Sequence, residues 1–216
     1  MFWIALPIIG VIGKIIYDAV TDDNESTSPR KKSILELNLE RLYNQTFSSA
    51  GYKIAIIGQP GAGKSSLLKK MTKGKVKPLP IIGAQTDATD WSNDVNCNLL
   101  SIYENYVFVD VPGYDTLAHP ICDFLSYFPF KNFDAFIFVI HGKLHSSDES
   151  IFQLIKNSGK KIFIASSFAD SLDDNEMKLV EHDIKTRLSI SNSNPILFFS
   201  NRTGHGIEPI FNAICH

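Results

Sequence analysis

The chain has 216 residues, of which 44% are hydrophobic and 20% charged, with a net charge near −2. Those values fit one α/β domain of roughly 160 to 170 residues plus an N-terminal extension, and the near-neutral charge gives no basis for non-specific nucleic-acid binding. Three cysteines, Cys97, Cys122 and Cys215, lack metal-ligand spacing and read as reduced cytosolic thiols, which sets aside a zinc site or a disulfide framework.

Residues 1–17 form a hydrophobic N-terminal segment. Met1 to Gly13 carries no charge, and Ile15, Ile16 and Tyr17 extend the apolar run past Lys14. A bilayer span needs about 20 apolar residues, and this run is shorter and contains Pro7. It also lacks the basic start and the small-residue cleavage site of a secretory signal. Three readings stay open: a short anchor with Trp3 and Lys14 at its two interfaces, an interfacial helix, or an apolar helix docked on protein. Membrane association is the expectation taken forward. Residues 18–50 read as a polar linker followed by a short helix. Ser33-Ile34-Leu35-Glu36 is a capping-box pattern, and Leu35, Leu39 and Leu42 share one face of a helix reaching about Phe47.

A nucleotide domain is expected over residues 51–216. Apolar runs at 52–57, 95–102, 105–110, 133–140, 161–166 and 195–199 read as strands. Helical patterns at 64–73, 115–128, 147–157, 174–188 and 206–214 alternate with them. Strictly alternating elements predict a three-layer, doubly wound, mostly parallel six-stranded α/β sheet with ligands at the carboxyl ends of its strands. The runs 95–102 and 105–110 are separated by only Tyr103 and Glu104 at their closest. They predict a hairpin and therefore one antiparallel edge strand.

Gly58-Gln59-Pro60-Gly61-Ala62-Gly63-Lys64-Ser65 fits the phosphate-loop pattern G-x-x-x-x-G-K-[ST], between the first strand and a helix. Glycines let the backbone wrap around phosphates with its N–H groups turned inward, and the helix N-terminus adds positive potential. Lys64 can reach the β- and γ-phosphates, the Ser65 hydroxyl can ligate Mg²⁺, and Ser66 is counted with the loop. The pattern implies a nucleoside triphosphate with Mg²⁺. Asp110-Val111-Pro112-Gly113 then gives Asp-x-x-Gly directly after a strand. Asp110 can hold the magnesium shell there, and the Gly113 N–H can meet a γ-phosphate.

With these two motifs in place the chain resembles the translation-factor-like superclass of P-loop GTPases (the TRAFAC class), including Era-like members. The resemblance implies a first switch loop in Gly83-Ala84-Gln85-Thr86-Asp87-Ala88-Thr89, with a threonine on Mg²⁺ and the γ-phosphate. Thr89 is the choice and Thr86 the alternative. Lys64, Thr89 and Gly113 are thereby the candidate catalytic groups, and Ser65, Thr89 and Asp110 the candidate Mg²⁺ ligands. Ser167-Phe168-Ala169-Asp170 stands where the superclass reads guanine with [NT]-K-x-D. Asp170 can accept from the guanine N1–H and 2-amino group, which adenine cannot match. Ser167 replaces the usual Asn or Thr, and Phe168 replaces the Lys whose stem covers the base. Ser200-Asn201-Arg202 resembles the last base-contacting element, with Asn201 in place of Ala.

Within the superclass the resemblance extends to immunity-related GTPases and bacterial relatives, through the run Phe133 to Val139 and Asp170-Ser171-Leu172. The resemblance covers roughly residues 51–214 and is not expected to extend to that family's large C-terminal helical domain. A homodimer across the nucleotide face follows from the resemblance only. The superclass's water-orienting Gln is Tyr114 here, so slow or partner-stimulated hydrolysis is expected; Asp115, Thr116 and His119 are candidates in cis. The expectation is a GTP/GDP-binding, Mg²⁺-dependent switch or assembly factor in the cytoplasm, on the cytoplasmic face of a membrane. The competing readings are a nucleotide-binding module with little turnover and a P-loop ATPase or kinase.

Overall fold

A computed structural model describes residues 30–83 and 89–215. The segment 1–17, and Thr86 in the first switch loop, lie outside the described residues. Residues from Ser33 onward form one compact unit.

Helix α1 (Ile34–Ser48) starts where the capping pattern puts it. Glu36 N–H donates to Ser33 Oγ at 3.1 Å, and Ser33 N–H donates to Glu36 Oε2 at 2.7 Å. Two of the helix's orphan donors are satisfied in this way. Then follow β1 (Tyr52–Gly58), α2 (Lys64–Met71), β2 (Ser101–Tyr103), β3 (Tyr106–Asp110), α3 (Ile121–Tyr127) and β4 (Ala135–Ile140). The chain continues through α4 (Ser146–Asn157), β5 (Lys161–Ser166), α5 (Asp174–Arg187), β6 (Ile196–Phe198) and α6 (Ile207–Cys215). The strand order is β2-β3-β1-β4-β5-β6. Every pairing is parallel except β2 with β3. The expected six-stranded, doubly wound sheet with one antiparallel edge strand is therefore present.

Alternation along the strands builds a core on each face. Ala55 and Ile57 of β1, with Phe136, Phe138 and Ile140 of β4, meet apolar side chains of α1, α3, α4 and α5. Ile54 and Ile56, with Ile137 and Val139, meet α2 and α6. β1 lies between β3 on one side and β4 on the other, and the chain crosses over it on the way from β3 to β4. The carboxyl ends of β1, β3, β4 and β5 thus border one crevice, the usual ligand position in such sheets.

Two elements differ from the sequence reading. The run 95–102 is a strand only from Ser101. Before it, the Val95 and Cys97 carbonyls accept from Arg41 of α1, and Asp94 bonds the Asn96 and Cys97 amides in a local turn. Those backbone groups are committed elsewhere and cannot enter a ladder. The helix read over 115–128 begins at Ile121, after Pro120. Asp115 has φ +66°, and Thr116 and His119 exchange bonds in a turn, so residues 115–119 leave the helical region.

Candidate nucleotide site

The phosphate loop bridges the end of β1 and the start of α2. Gly63, the residue before α2, has φ +89°, in the left-handed region that glycine adopts without a side-chain clash. The next residue, Lys64, is largely buried. Its Nζ donates to the Gly58 and Gln59 carbonyls, both at 2.8 Å, which holds the ammonium over the loop. Gly113 packs against this loop so closely that a Cβ there would fall 2.4 Å from the Pro60 nitrogen. No larger residue fits at that position without moving one of the two loops.

Three oxygens meet beside the loop. Ser65 Oγ donates to Asp110 Oδ2 at 2.6 Å, Thr89 Oγ1 donates to the same oxygen at 2.9 Å, and the two hydroxyls lie 3.3 Å apart. The residues come from α2, from the segment before β2 and from the end of β3, so only the folded sheet brings them together. Asp110 Oδ1 is buried with no hydrogen-bond partner. Burial pushes the Asp110 carboxyl above the ordinary carboxylate range, against the opposing pull of Ser65, Lys64 and Thr89. A cluster of hard oxygens with one orphaned, buried carboxylate oxygen is what a divalent cation of the Mg²⁺ type takes.

The residues expected from the sequence to meet a base lie at the ends of β5 and β6. Ser167 N–H donates to the Ile140 carbonyl at 2.9 Å, and its hydroxyl donates to the same oxygen at 3.2 Å. Ala169 N–H donates to the Phe199 carbonyl, which stitches this loop to β6. Phe168 is exposed, has φ +59°, and sets its ring 4.2 Å from the His141 ring centroid. Asp170 accepts from Arg202 Nε at 2.6 Å. Hydrogen bonding from Ser200, then from Arg202, holds the Asp170 carboxyl below its usual range. Asp173, not Asp170, caps α5 through the Asn175 and Glu176 amides, so helix capping does not account for Asp170. Asn201 Nδ2 donates to the Gly63 carbonyl at 2.9 Å and so ties this end of the crevice to the phosphate loop.

Tyr114 is turned into the core. It is fully buried, and its hydroxyl donates to Asp148 Oδ1 at 2.5 Å. Burial, then the Asp148 charge, pushes the phenol well above its ordinary pKa, so the hydroxyl stays a donor. Gln59 of the phosphate loop reaches the same carboxylate oxygen at 3.1 Å and Ser147 Oγ at 2.9 Å. Asp148 Oδ2 accepts the His145 amide at the start of α4. One buried carboxylate therefore joins the phosphate loop, the loop after Gly113 and α4. Sequence reading missed this junction. Its partners lie 34 and 89 residues from Asp148, and the local signal was only that of a helix start. His119 is also buried, with Nε2 accepting the Trp91 amide at 3.1 Å.

A family model described as 50S ribosome-binding GTPase matches residues 53–167, more than half of the chain. The chain belongs to this GTPase family. It is 27% identical over 184 residues to GTPase Der of Buchnera aphidicola, covering 81% of this chain and 40% of the relative. With GTPase Era of Clostridium novyi it shares 25% identity over 162 residues, 73% of this chain and 52% of that protein. Among solved structures, Era of Aquifex aeolicus bound to GDP and AlF4− shares the fold, with a TM-score of 0.55 at 21% identity. That match covers 77% of this chain and 56% of the other. The chain spans about 40% of the length of its Der relatives. These relatives fit the Era-like resemblance seen in the sequence; the likeness to immunity-related GTPases gains no support from them. Among the described residues, no helix is long and apolar enough to cross a membrane.

Proposed function

We propose that this chain is a Mg²⁺-dependent GTP-binding switch or assembly factor that hydrolyses GTP slowly or on stimulation by a partner. The observation that carries the reading is the meeting of Ser65, Thr89 and Asp110 around a buried carboxylate oxygen that lacks a partner. Ser65, Thr89 and Asp110 would hold the metal, whose role is to neutralise charge on the β- and γ-phosphate oxygens. Loop amides from Gly61 to Ser66 and the Lys64 ammonium bind and orient the phosphates, and the Gly113 amide meets the terminal one. Phosphoryl transfer needs positioning and charge neutralisation rather than a covalent nucleophile. Asp170 reads the base, with Ser167, Ser200, Asn201 and Arg202 around it and Phe168 in place to cover its face.

Slow turnover is supported by Tyr114, whose hydroxyl is spent on Asp148 inside the core and does not orient water. The same observation favours a second reading, a nucleotide-binding module with little turnover. Residues 51–216, with α1 packed into their core, would form the working domain, and residues 1–17 would attach it to the cytoplasmic face of a membrane. Homodimerisation across the nucleotide face belongs to the same proposal.

Purified full-length protein, titrated with fluorescent GTP, GDP and ATP with and without Mg²⁺, tests the nucleotide reading. GTP binding that tightens with Mg²⁺ and exceeds ATP binding is the expected result; equal ATP binding would remove the guanine assignment. Phosphate release at rising protein concentration separates the slow enzyme from the inert module. Liposome flotation with and without residues 1–17 tests the membrane claim, and equal flotation defeats it.

A further inference from the structure

Helix α1 precedes the region matched by the family model, which begins at residue 53. It is nonetheless built into the site. Its apolar face, Leu35, Leu39 and Leu42, is buried in the larger core. Its polar residues do something more specific. Asn38 is fully buried, and its Nδ2 donates to the Trp91 carbonyl at 2.7 Å and to the Asp94 carbonyl at 2.9 Å. Arg41 donates to Asn38 Oδ1 at 2.5 Å, to the Val95 carbonyl, and to the Cys97 carbonyl at 3.4 Å. Two side chains of one helix thus take four backbone carbonyls between positions 91 and 97. From the opposite side, His119 Nε2 accepts the Trp91 amide. Trp91 itself is buried in the core shared with α1.

Thr89 stands two residues before this gripped stretch, and two residues of chain reach at most about 7 Å. While Trp91 is held, Thr89 stays within about 7 Å of it, a range that includes its present place on Asp110. We propose that Asn38 and Arg41 are positioning residues that set Thr89 for the third phosphate and the metal, which makes α1 a built-in lever on the first switch segment. This rests on the GTP-binding reading above and adds to it a control that the matched GTPase region does not contain. The grip falls on backbone carbonyls, so it constrains the path of the segment without depending on its side chains. By linkage, any load on α1 that favours the Thr89-in arrangement favours GTP by the same factor, and GTP in turn favours that arrangement of α1.

The test uses the full-length chain with Arg41→Ala, Arg41→Lys and Asn38→Ala, measuring affinity for a non-hydrolysable GTP analogue and for GDP in Mg²⁺. Amide exchange of residues 89–97 is measured without nucleotide. Arg41→Ala should weaken the GTP analogue roughly fivefold to tenfold while GDP stays within about twofold, because a Thr89 contact acts on the third phosphate. Exchange across 89–97 should rise, and Arg41→Lys should fall between wild type and Ala because it loses the two-pronged reach. If Asn38→Ala fails to fold, the half-buried Arg41 pair still decides the matter. An equal loss for GTP and GDP, or a lowered melting temperature with the ratio unchanged, would reduce α1 to a stabilising element and overturn the proposal. Wild-type protein that binds no GTP overturns the underlying reading as well; wild-type binding with an unchanged ratio in Arg41→Ala overturns the lever alone.

Discussion

The two halves of the crevice are built to different standards. On the phosphate side, Lys64 is buried over its loop, three oxygens converge within 3.3 Å of one another, and Gly113 touches Pro60. On the base side the parts are looser: Phe168 is exposed in a left-handed conformation, and Asp170 shares a carboxylate oxygen with the largely exposed Arg202. Charge neutralisation tolerates little variation because phosphates offer the same chemistry in every nucleotide. Base recognition can be assembled from several weaker contacts, and on the proposed base side Ser167 and Phe168 differ from the superclass residue types. The contrast predicts that damage on the phosphate side abolishes binding, whereas damage on the base side mainly changes which nucleotide binds.

The largest expected effect tests the first half of that statement. Lys64→Ala removes the ammonium held over the loop, and each charged hydrogen bond is worth roughly 1.5–3 kcal/mol. GTP, GDP and ATP affinities should all fall by about two orders of magnitude, read by equilibrium titration. A loss limited to GTP would break the comparison, because the phosphate half would then be reading the base.

Asp170→Asn addresses the other half. Guanine presents two donors to this position, and an amide replaces one acceptor with a donor. GTP affinity should fall by roughly tenfold while that for xanthosine triphosphate rises, since xanthine offers a carbonyl where guanine has its amino group. The same carboxyl gives a pH expectation. Its pKa is lowered in the folded protein, so the carboxylate that would accept from guanine stays ionised until pH falls below the ordinary carboxylate range. Preference for GTP over ATP should therefore stay level from about pH 8 to pH 5. A decline with a midpoint near neutrality would assign the selectivity to another group.

How much of this was legible follows the range of each signal. The phosphate loop and Asp110-x-x-Gly113 were readable because each is a local string whose job is done by backbone shape and one or two side chains. Thr89 was readable only by its place between them, and the fold then set its hydroxyl 2.9 Å from Asp110. The run 95–102 misled because β-branched and apolar residues do not reveal that a distant arginine has taken their carbonyls. Asn38, Arg41 and Asp148 were silent for the same reason. The partners that give them their roles lie 34 to 89 residues away, and each sits in a helix pattern that is complete without them.

Tyr114→Phe sharpens the comparison at the seam between the loops. It keeps the ring against Phe124 and removes only the hydroxyl on Asp148, which still accepts from Gln59. Stability should fall by about 1 kcal/mol by chemical denaturation, the ordinary scale for one buried bond whose acceptor keeps another donor. GTP affinity should change by no more than about threefold, because the Tyr114 hydroxyl bonds the core and the Gly113 amide is untouched. A large fall in hydrolysis at unchanged affinity would mean that Tyr114 takes part in turnover from within the core.

The last test concerns Phe168, where a phenylalanine stands in place of the superclass lysine. A lysine there would cover a base with its alkyl stem; the phenylalanine offers a flat ring, already set beside His141. Aromatic contacts of this kind are worth about 0.5–1.5 kcal/mol beyond area burial. Phe168→Ala should therefore weaken GTP by roughly threefold to tenfold, while Phe168→Lys stays within about threefold of wild type because one covering surface replaces another. Neither variant should disturb the proposed Mg²⁺ dependence, which would belong to the other half of the crevice. An inert Phe168→Ala would show that the base is covered by some other group, and a gain confined to Phe168→Lys would show that the ring is a handicap the chain carries rather than a substitute for the missing lysine.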